Sequence, residues 1–109
     1  MSSKEYYAIQ IDDLKGQISG KRLSMATIRD KMKAERTDAK DDISRLRDRI
    51  KSATTTSSKA NLRNNIKSRQ DQKQRRLDSF TRDMERYKRE IDSLKGRLED
   101  ARERKNKAK

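Results

Sequence analysis

The apolar residues of this chain form two heptad stripes, one in each half of the sequence. In the first half they recur every three or four residues from Tyr7 to Ile50, and in the second half they recur from Leu62 to Ala101. This spacing is typical of an amphipathic helix that packs along a narrow coiled-coil seam. Each half is therefore predicted to be one long helix.

The two stripes match each other when the chain is folded back near residue 56. Facing core residues then have numbers that total 112, as in Ile50 with Leu62, Ile28 with Met84, and Ile11 with Ala101. Additional four-residue steps interrupt both stripes at the same level, at residues 39–43 and 69–73, where we place Gln70 in the seam. Such steps locally unwind a supercoil, and two independent helices would not need to share them. We therefore predict an all-α fold, a long antiparallel two-helix coiled-coil hairpin.

A polar interruption and a Ser/Thr-rich segment complete this prediction. A polar interruption falls at the same height on both helices, where Glu35, Arg36 and Lys40 lie opposite Lys73 and Arg76, with the apolar Leu77 beside them. Residues 52–58 are rich in Ser and Thr, which favour turns and helix N-caps, and Ser57 or Ser58 is the expected cap. We expect a single helical hairpin over residues 1–109, with helix one at about 4–52, a turn at about 53–58, helix two at about 59–105 and a basic tail at 102–109.

Composition leaves two classes of structure open, and periodicity decides between them. Hydrophobic residues make up 28% of the chain and charged residues 45%, which is too little apolar material for a conventional globular core. Disorder and a two-stranded coiled coil both fit these values, but only the coiled coil explains the regular stripes. A single helix that dimerises in parallel is the competing architecture, although it would not require mirrored interruptions. Self-association of the hairpin, or docking into a larger helical bundle, stays open.

The formal net charge of +13 is concentrated near the predicted turn. Residues 45–76 contain eleven basic side chains but only two acidic ones, while residues 102–109 contain five basic side chains and one acidic one. A concentrated positive surface attracts nucleic-acid phosphates, anionic lipids or acidic proteins. The predicted polyanion-binding tip comprises Arg45, Arg47, Arg49, Lys51, Lys59, Arg63, Lys67, Arg69, Lys73, Arg75 and Arg76. Because no aromatic residue lies between Tyr7 and Phe80, contact with nucleic acid would involve the backbone, independently of base sequence.

The first helix has a second apolar row on the side opposite its seam. This row contains small and apolar residues where a solvated face would carry Lys and Glu, and its candidate docking residues are Tyr6, Ile9, Gly16, Gly20 and Leu23. Rows at this spacing dock other helices, and glycine permits close approach of two backbones. The plainer interpretation is a set of scattered exposed apolar side chains, which are common on protein surfaces. The partner expected from the docking hypothesis is another helical protein or a second copy of this chain.

No residue pattern indicates an enzyme or a cofactor. The chain has no histidine and no cysteine, no glycine-rich phosphate loop and no cluster of metal ligands. The hydropathy of this sequence leads us to expect neither a transmembrane segment nor a standard signal peptide. We expect a non-enzymatic, cytoplasmic protein without a cofactor, with signal-independent secretion as the alternative address.

No motif assigns the chain to a family, but its opening pattern and its form carry two resemblances. The pattern Tyr6-Tyr7 followed by Ile11, Leu14 and Ile18 resembles the helical accessory partners of LXG toxins in type VII secretion. The basic hairpin form is similar to the stalk proteins of type III secretion and flagellar export. Three functions follow as hypotheses. The first is a protein-interaction module, such as an adaptor, chaperone or structural subunit. The second is a sequence-independent nucleic-acid-binding protein, and the third is an accessory partner or cargo of a secretion system.

Overall fold

The computed structural model describes residues 2–108, which form two long helices. Helix α1 spans Ser3–Ser52 and helix α2 spans Thr56–Lys107, so only residues 53–55 connect them. The described residues include no β-strand, and the predicted antiparallel hairpin is confirmed. Helix α2 begins three residues earlier than expected, and it extends to Lys107 through most of the segment predicted to be a basic tail.

Local hydrogen bonds explain where each helix begins. At the start of α1, the Glu5 amide donates to Ser2 Oγ at 3.2 Å and the Ser2 amide donates to Glu5 Oε2 at 3.4 Å, which is a capping box. At the start of α2, the Ser58 amide donates to Thr55 Oγ1 at 3.1 Å. The expected cap at Ser57 or Ser58 is therefore wrong. Thr55 is the N-cap because the turn is shorter than predicted.

The terminal unit, residues 2–28 with 83–108, contains the most continuous apolar core. Seam side chains of both helices are buried there, and Met84 and Tyr87 pack against them; the buried set is Ile11, Leu14, Ile18, Met25, Ile91, Leu94, Leu98 and Ala101. These are the positions that the two heptad stripes predict. Their burial stabilises the pairing of α1 with α2, since each large aliphatic side chain contributes about 1.5–3 kcal/mol when removed from water.

The turn unit, residues 29–82, has a thinner core in which polar side chains take part. Ala39 and Ile43 of α1 are buried, whereas the α2 residues Leu62, Ile66 and Leu77 are only half-buried. The expected seam position Gln70 is exposed, and Arg69 takes its place. Arg69 is favoured at this level because carboxylates of α1 accept hydrogen bonds from its guanidinium.

Candidate interaction surfaces

The outer stripe, which we define as Tyr6, Ile9, Gly16, Gly20 and Leu23, lies on the exposed side of α1 in the terminal unit. Tyr6 and Ile9 are each 50% exposed and Leu23 is 70% exposed. Among residues 2–108, no other large hydrophobic side chain is comparably exposed. Tyr6, Ile9 and Leu23 lie on the same face of α1, because they are separated by three and fourteen residues along the helix.

Tyr6 of the outer stripe contacts nearby residues of α1, and the space beside the two glycines of the stripe is empty. The Tyr6 hydroxyl accepts a hydrogen bond from Gln10 Nε2 at 2.8 Å. The Tyr6 and Tyr7 rings pack edge to face, with their centres 5.3 Å apart. A Cβ added at Gly16 or Gly20 would meet no heavy atom within 4 Å. Both glycines have ordinary helical backbone angles, so neither is required by the conformation of α1. Both glycines weaken helix propensity, yet among the described residues no neighbouring side chain or packed backbone requires the absence of a Cβ at either position.

A buried polar layer replaces the apolar seam inside the turn unit. Glu35 is only 7% exposed, and it accepts hydrogen bonds from Arg69 Nη1 at 2.7 Å and from Arg76 Nη1 at 3.1 Å. Arg69 Nε also donates to Asp42 Oδ2 at 2.8 Å, and the Arg69 side chain is only 12% exposed. The sequence predicts a polar interruption that contains Glu35 and Arg76, but it does not predict which of its residues pair. It also predicts Arg36 and Lys40 in this interruption, but both are exposed to solvent.

The charges of this layer stabilise one another. Hydrogen bonds from Arg69 hold the pKa of Glu35 below its usual value, against the opposing effect of desolvation, and Arg76 adds to the lowering. Arg69 likewise lowers the pKa of Asp42, while the two carboxylates raise the pKa of Arg69. These contacts favour the charged forms of Glu35, Asp42 and Arg69, and they join α1 to α2 through ionic hydrogen bonds.

A smaller polar contact lies within the seam of the terminal unit. Lys21 Nζ is 2.7 Å from Glu90 Oε2 and 5.6 Å from the centre of the Tyr87 ring. Apart from this ion pair, Glu90 Oε2 has no hydrogen-bond donor among the described residues. The contact with Lys21 lowers the pKa of Glu90. Lys21 therefore occupies a seam position without an unpaired charge.

The structure divides the eleven basic residues of the predicted tip into two kinds. Eight are exposed, and Lys59 and Lys73 are half-buried. Arg69 does not belong to the free basic surface, because Glu35 and Asp42 occupy its guanidinium. Arg69 is therefore less accessible to an external anion than the exposed arginines of the set. Sequence reasoning missed this role of Arg69, although a Glu at a seam position indicates that a buried cation should face it.

Three of the exposed arginines line one groove between α1 and α2 in the turn unit. Arg45 and Arg49 lie on its α1 side and Arg75 on its α2 side. We call this surface the arginine groove. Its remaining lining comprises Asp42, Leu46, Asn65, Ser68, Arg69 and Gln72. The groove is open to solvent, and it combines cationic side chains with neutral hydrogen-bonding groups.

Neither helix of the described chain is long and apolar enough to cross a bilayer. Residues 2–108 also contain no group of three side chains suited to hold a metal ion. No protein-family model, curated protein or solved structure matches this chain.

Proposed function

We propose that this protein is a non-enzymatic helical interaction module that docks a helix of another protein on the outer stripe. The observation that carries the proposal is the gathering of the most exposed large hydrophobics, Tyr6, Ile9 and Leu23, on one face of α1. Apolar side chains aligned on one face of a helix are a usual means of docking a partner helix. Gly16 and Gly20 lie between them and leave room for a second backbone.

The charge of this face favours a different protein over a second copy of the chain. Asp13 lies in the same helical row, between Ile9 and Gly16. An antiparallel pair of α1 helices that covered Tyr6, Ile9 and Leu23 of both copies would be centred near residues 14 and 15. It would bring Asp13 and its counterpart close together, and like charges at a contact oppose association. We therefore expect a partner helix with apolar residues at three- and four-residue spacing and a Lys or Arg that faces Asp13.

The surface of the described chain offers grooves but no enclosed pocket of the kind that enzymes use. The depressions found on the described chain, including the arginine groove, are open grooves lined mainly by solvated polar side chains. Catalytic and small-molecule sites bury most of the ligand surface in concave pockets. A pair of helices provides grooves and faces, which suit extended macromolecular partners.

Affinity purification from source cells tests the docking proposal. The wild-type chain should retain a helical protein at constant stoichiometry in high salt, because apolar contacts are insensitive to screening. Ile9→Glu/Leu23→Glu should weaken this complex at least a hundredfold, since the loss of two apolar contacts of about 1.5 kcal/mol each corresponds to two factors of ten. The matched control Ser79→Glu/Ser93→Glu adds the same charge at exposed positions of α2 and should bind normally.

Two results would contradict the proposal. Equal partner retention by the Ile9→Glu/Leu23→Glu variant would remove the outer stripe from the interface. A purified wild-type chain that forms dimers in sedimentation equilibrium, and becomes monomeric when Ile9 and Leu23 are replaced, would show that a second copy covers the stripe.

A further inference from the structure

We infer that the arginine groove of the turn unit binds the phosphate backbone of a nucleic-acid duplex, independently of base sequence. This activity is separate from helix docking, because the two surfaces share no residue and belong to different units of the chain. The inference depends on which cations remain free once the internal ion pairs are formed.

The internal pairs leave the groove arginines available. Glu35 and Asp42 neutralise Arg69, which lines the groove at low exposure. Asp42 is the acidic residue of the groove lining, and its Oδ2 atom accepts from Arg69 Nε at 2.8 Å, so it is already paired. Arg45 Nη1 lies 3.8 Å from Asp42 Oδ1, but 76% of the Arg45 side chain is exposed. An exposed ion pair at this distance contributes little to the free energy of folding, so it would not prevent Arg45 from binding a phosphate.

The arrangement of the free arginines suits a row of phosphates. Arg45 and Arg49 are one helical turn apart, which is a rise of about 6 Å along α1. Phosphates follow one another by about 3.4 Å per strand along the axis of duplex DNA, so two such arginines span about two phosphates. Arg75 provides the opposing cation on α2. Arginine binds phosphate oxygens with its planar fork of donors.

The neutral side chains of the groove point to the same ligand. Asn65, Ser68 and Gln72 line it beside the arginines, and amide and hydroxyl groups are common phosphate contacts in protein–DNA interfaces. No aromatic side chain lies between Tyr7 and Phe80, so stacking on unpaired bases has no platform here. Recognition would therefore involve the backbone alone.

The distribution of apolar side chains favours nucleic acid over a membrane surface. Stable binding to a bilayer usually combines cations with apolar side chains that insert between the lipids. The exposed large hydrophobics Tyr6, Ile9 and Leu23 all lie in the terminal unit, and the described residues of the turn unit contain none. The turn unit thus presents cations without an apolar anchor.

Fluorescence anisotropy with a labelled 20-base-pair DNA duplex tests the inference over a range of salt concentrations. The full chain should bind two duplexes of unrelated sequence equally well. Its affinity should fall steeply with salt, because each neutralised phosphate contributes about 0.9 to the slope of log K against log salt. Arg45→Gln/Arg49→Gln/Arg75→Gln should bind at least tenfold more weakly at low salt, with a slope shallower by about 2 to 3.

A control variant separates the groove from net charge. Arg82→Gln/Lys88→Gln/Arg89→Gln removes the same three charges from exposed positions of α2 outside the groove. This control should stay within about threefold of wild type, since distant charges act only through a screened field. Circular dichroism establishes that both variants remain helical. If the triple groove variant unfolds, Arg75→Gln alone should still reduce the slope by about one.

Three results would overturn the inference. The first is the absence of duplex binding by the wild-type chain at low salt, and the second is an equal loss in the groove and control variants. The third would come from phosphatidylserine-containing vesicles. If the groove substitutions abolish vesicle binding but leave duplex binding intact, the groove recognises anionic lipid instead.

Discussion

Replacement of the buried polar layer by apolar side chains tests how the turn unit is stabilised. In Glu35→Leu, the Arg69 guanidinium stays in the seam, where its side chain is 12% exposed, but its Nη1 atom loses the 2.7 Å contact with Glu35 Oε1. Removal of one partner from a buried ion pair costs about 3–5 kcal/mol. Arg69 retains Asp42 at 2.8 Å and Arg76 is half exposed to water, so we expect a smaller loss than this range, about 2–3 kcal/mol.

The double variant Glu35→Leu/Arg69→Leu should recover this loss. It removes both buried charges and places apolar side chains at matching positions of the seam. Well-packed apolar replacements of buried ion pairs are often neutral or stabilising, by about 1–4 kcal/mol. Arg76 loses Glu35 and Asp42 loses Arg69, but both side chains are accessible enough to be hydrated, and Asp42 keeps Arg45 at 3.8 Å. The free energy of unfolding of the double variant should therefore equal or exceed that of wild type.

Urea unfolding followed by circular dichroism at 222 nm measures both effects. The midpoint should fall for Glu35→Leu and return for the double variant, without a change in the dependence on urea. A double variant no more stable than the single variant would refute the reasoning. It would mean that the charges of the layer contribute net stability and that the seam cannot close over leucine.

Three further predictions concern acid stability, helix propensity and capping. Because hydrogen bonds from Arg69 lower the pKa of Glu35 in the folded chain, its stabilising effect is complete above its ordinary pKa of 4.5 and is lost as the pH falls through the lower folded value. An acid titration of unfolding free energy should therefore be steeper for wild type than for the double leucine variant, and equal slopes would contradict this assignment. Gly20→Ala and Gly96→Ala should each stabilise the chain by about 0.5–1 kcal/mol in thermal unfolding, but only Gly20→Ala should weaken partner binding, since Gly96 lies outside the outer stripe. Thr55→Ala should lower the free energy of unfolding by about 1 kcal/mol, and an unchanged value would show that the cap is dispensable.

The apolar periodicity predicted the pairing of the helices because few other arrangements bury so sparse a set of side chains. Ile11, Leu14 and Ile18 of α1 lie in one core with Leu94 and Leu98 of α2, as the mirrored stripes require. At these five positions the seam residue is apolar and its immediate neighbours are polar, whereas Lys21 is a polar seam residue further along α1. The pattern therefore leaves no ambiguity about which face is buried.

The same pattern fails at the four-residue step of α2, residues 69–73, where all candidate residues are polar. Arg69 and Gln70 both lie within reach of the seam, and hydrophobicity cannot distinguish them. The structure buries Arg69 because Glu35 and Asp42 accept its hydrogen bonds, which is a tertiary contact that residue spacing does not encode. The turn shows a similar limit, because Thr55, Ser57 and Ser58 are all good caps by residue type, and only the structure shows that Thr55 is the one used.

The sequence predicts which residues belong to the two candidate surfaces, but it does not predict how exposed each residue is or which charges are paired within the chain. The apolar spacing located Tyr6, Ile9 and Leu23 on one face of α1, and the structure adds their exposure. The charge count located the basic segment but could not separate Arg69, whose charge is used internally, from Arg45 and Arg75. That distinction depends on which cations meet a carboxylate across the seam.

Both proposals depend on the pairing of α1 and α2 within one chain, and a distance between two spin labels tests this pairing directly. The chain has no cysteine, so labels can be placed at Ser24→Cys and Lys88→Cys alone. Labelled protein diluted with unlabelled protein should give a single short distance, below about 30 Å, because packed helix axes are 8–10 Å apart. A parallel pair of continuous helices would separate these labels within one chain by about 95 Å, at 1.5 Å per residue. That long distance, without a short one after dilution, would contradict the hairpin and with it the arginine groove.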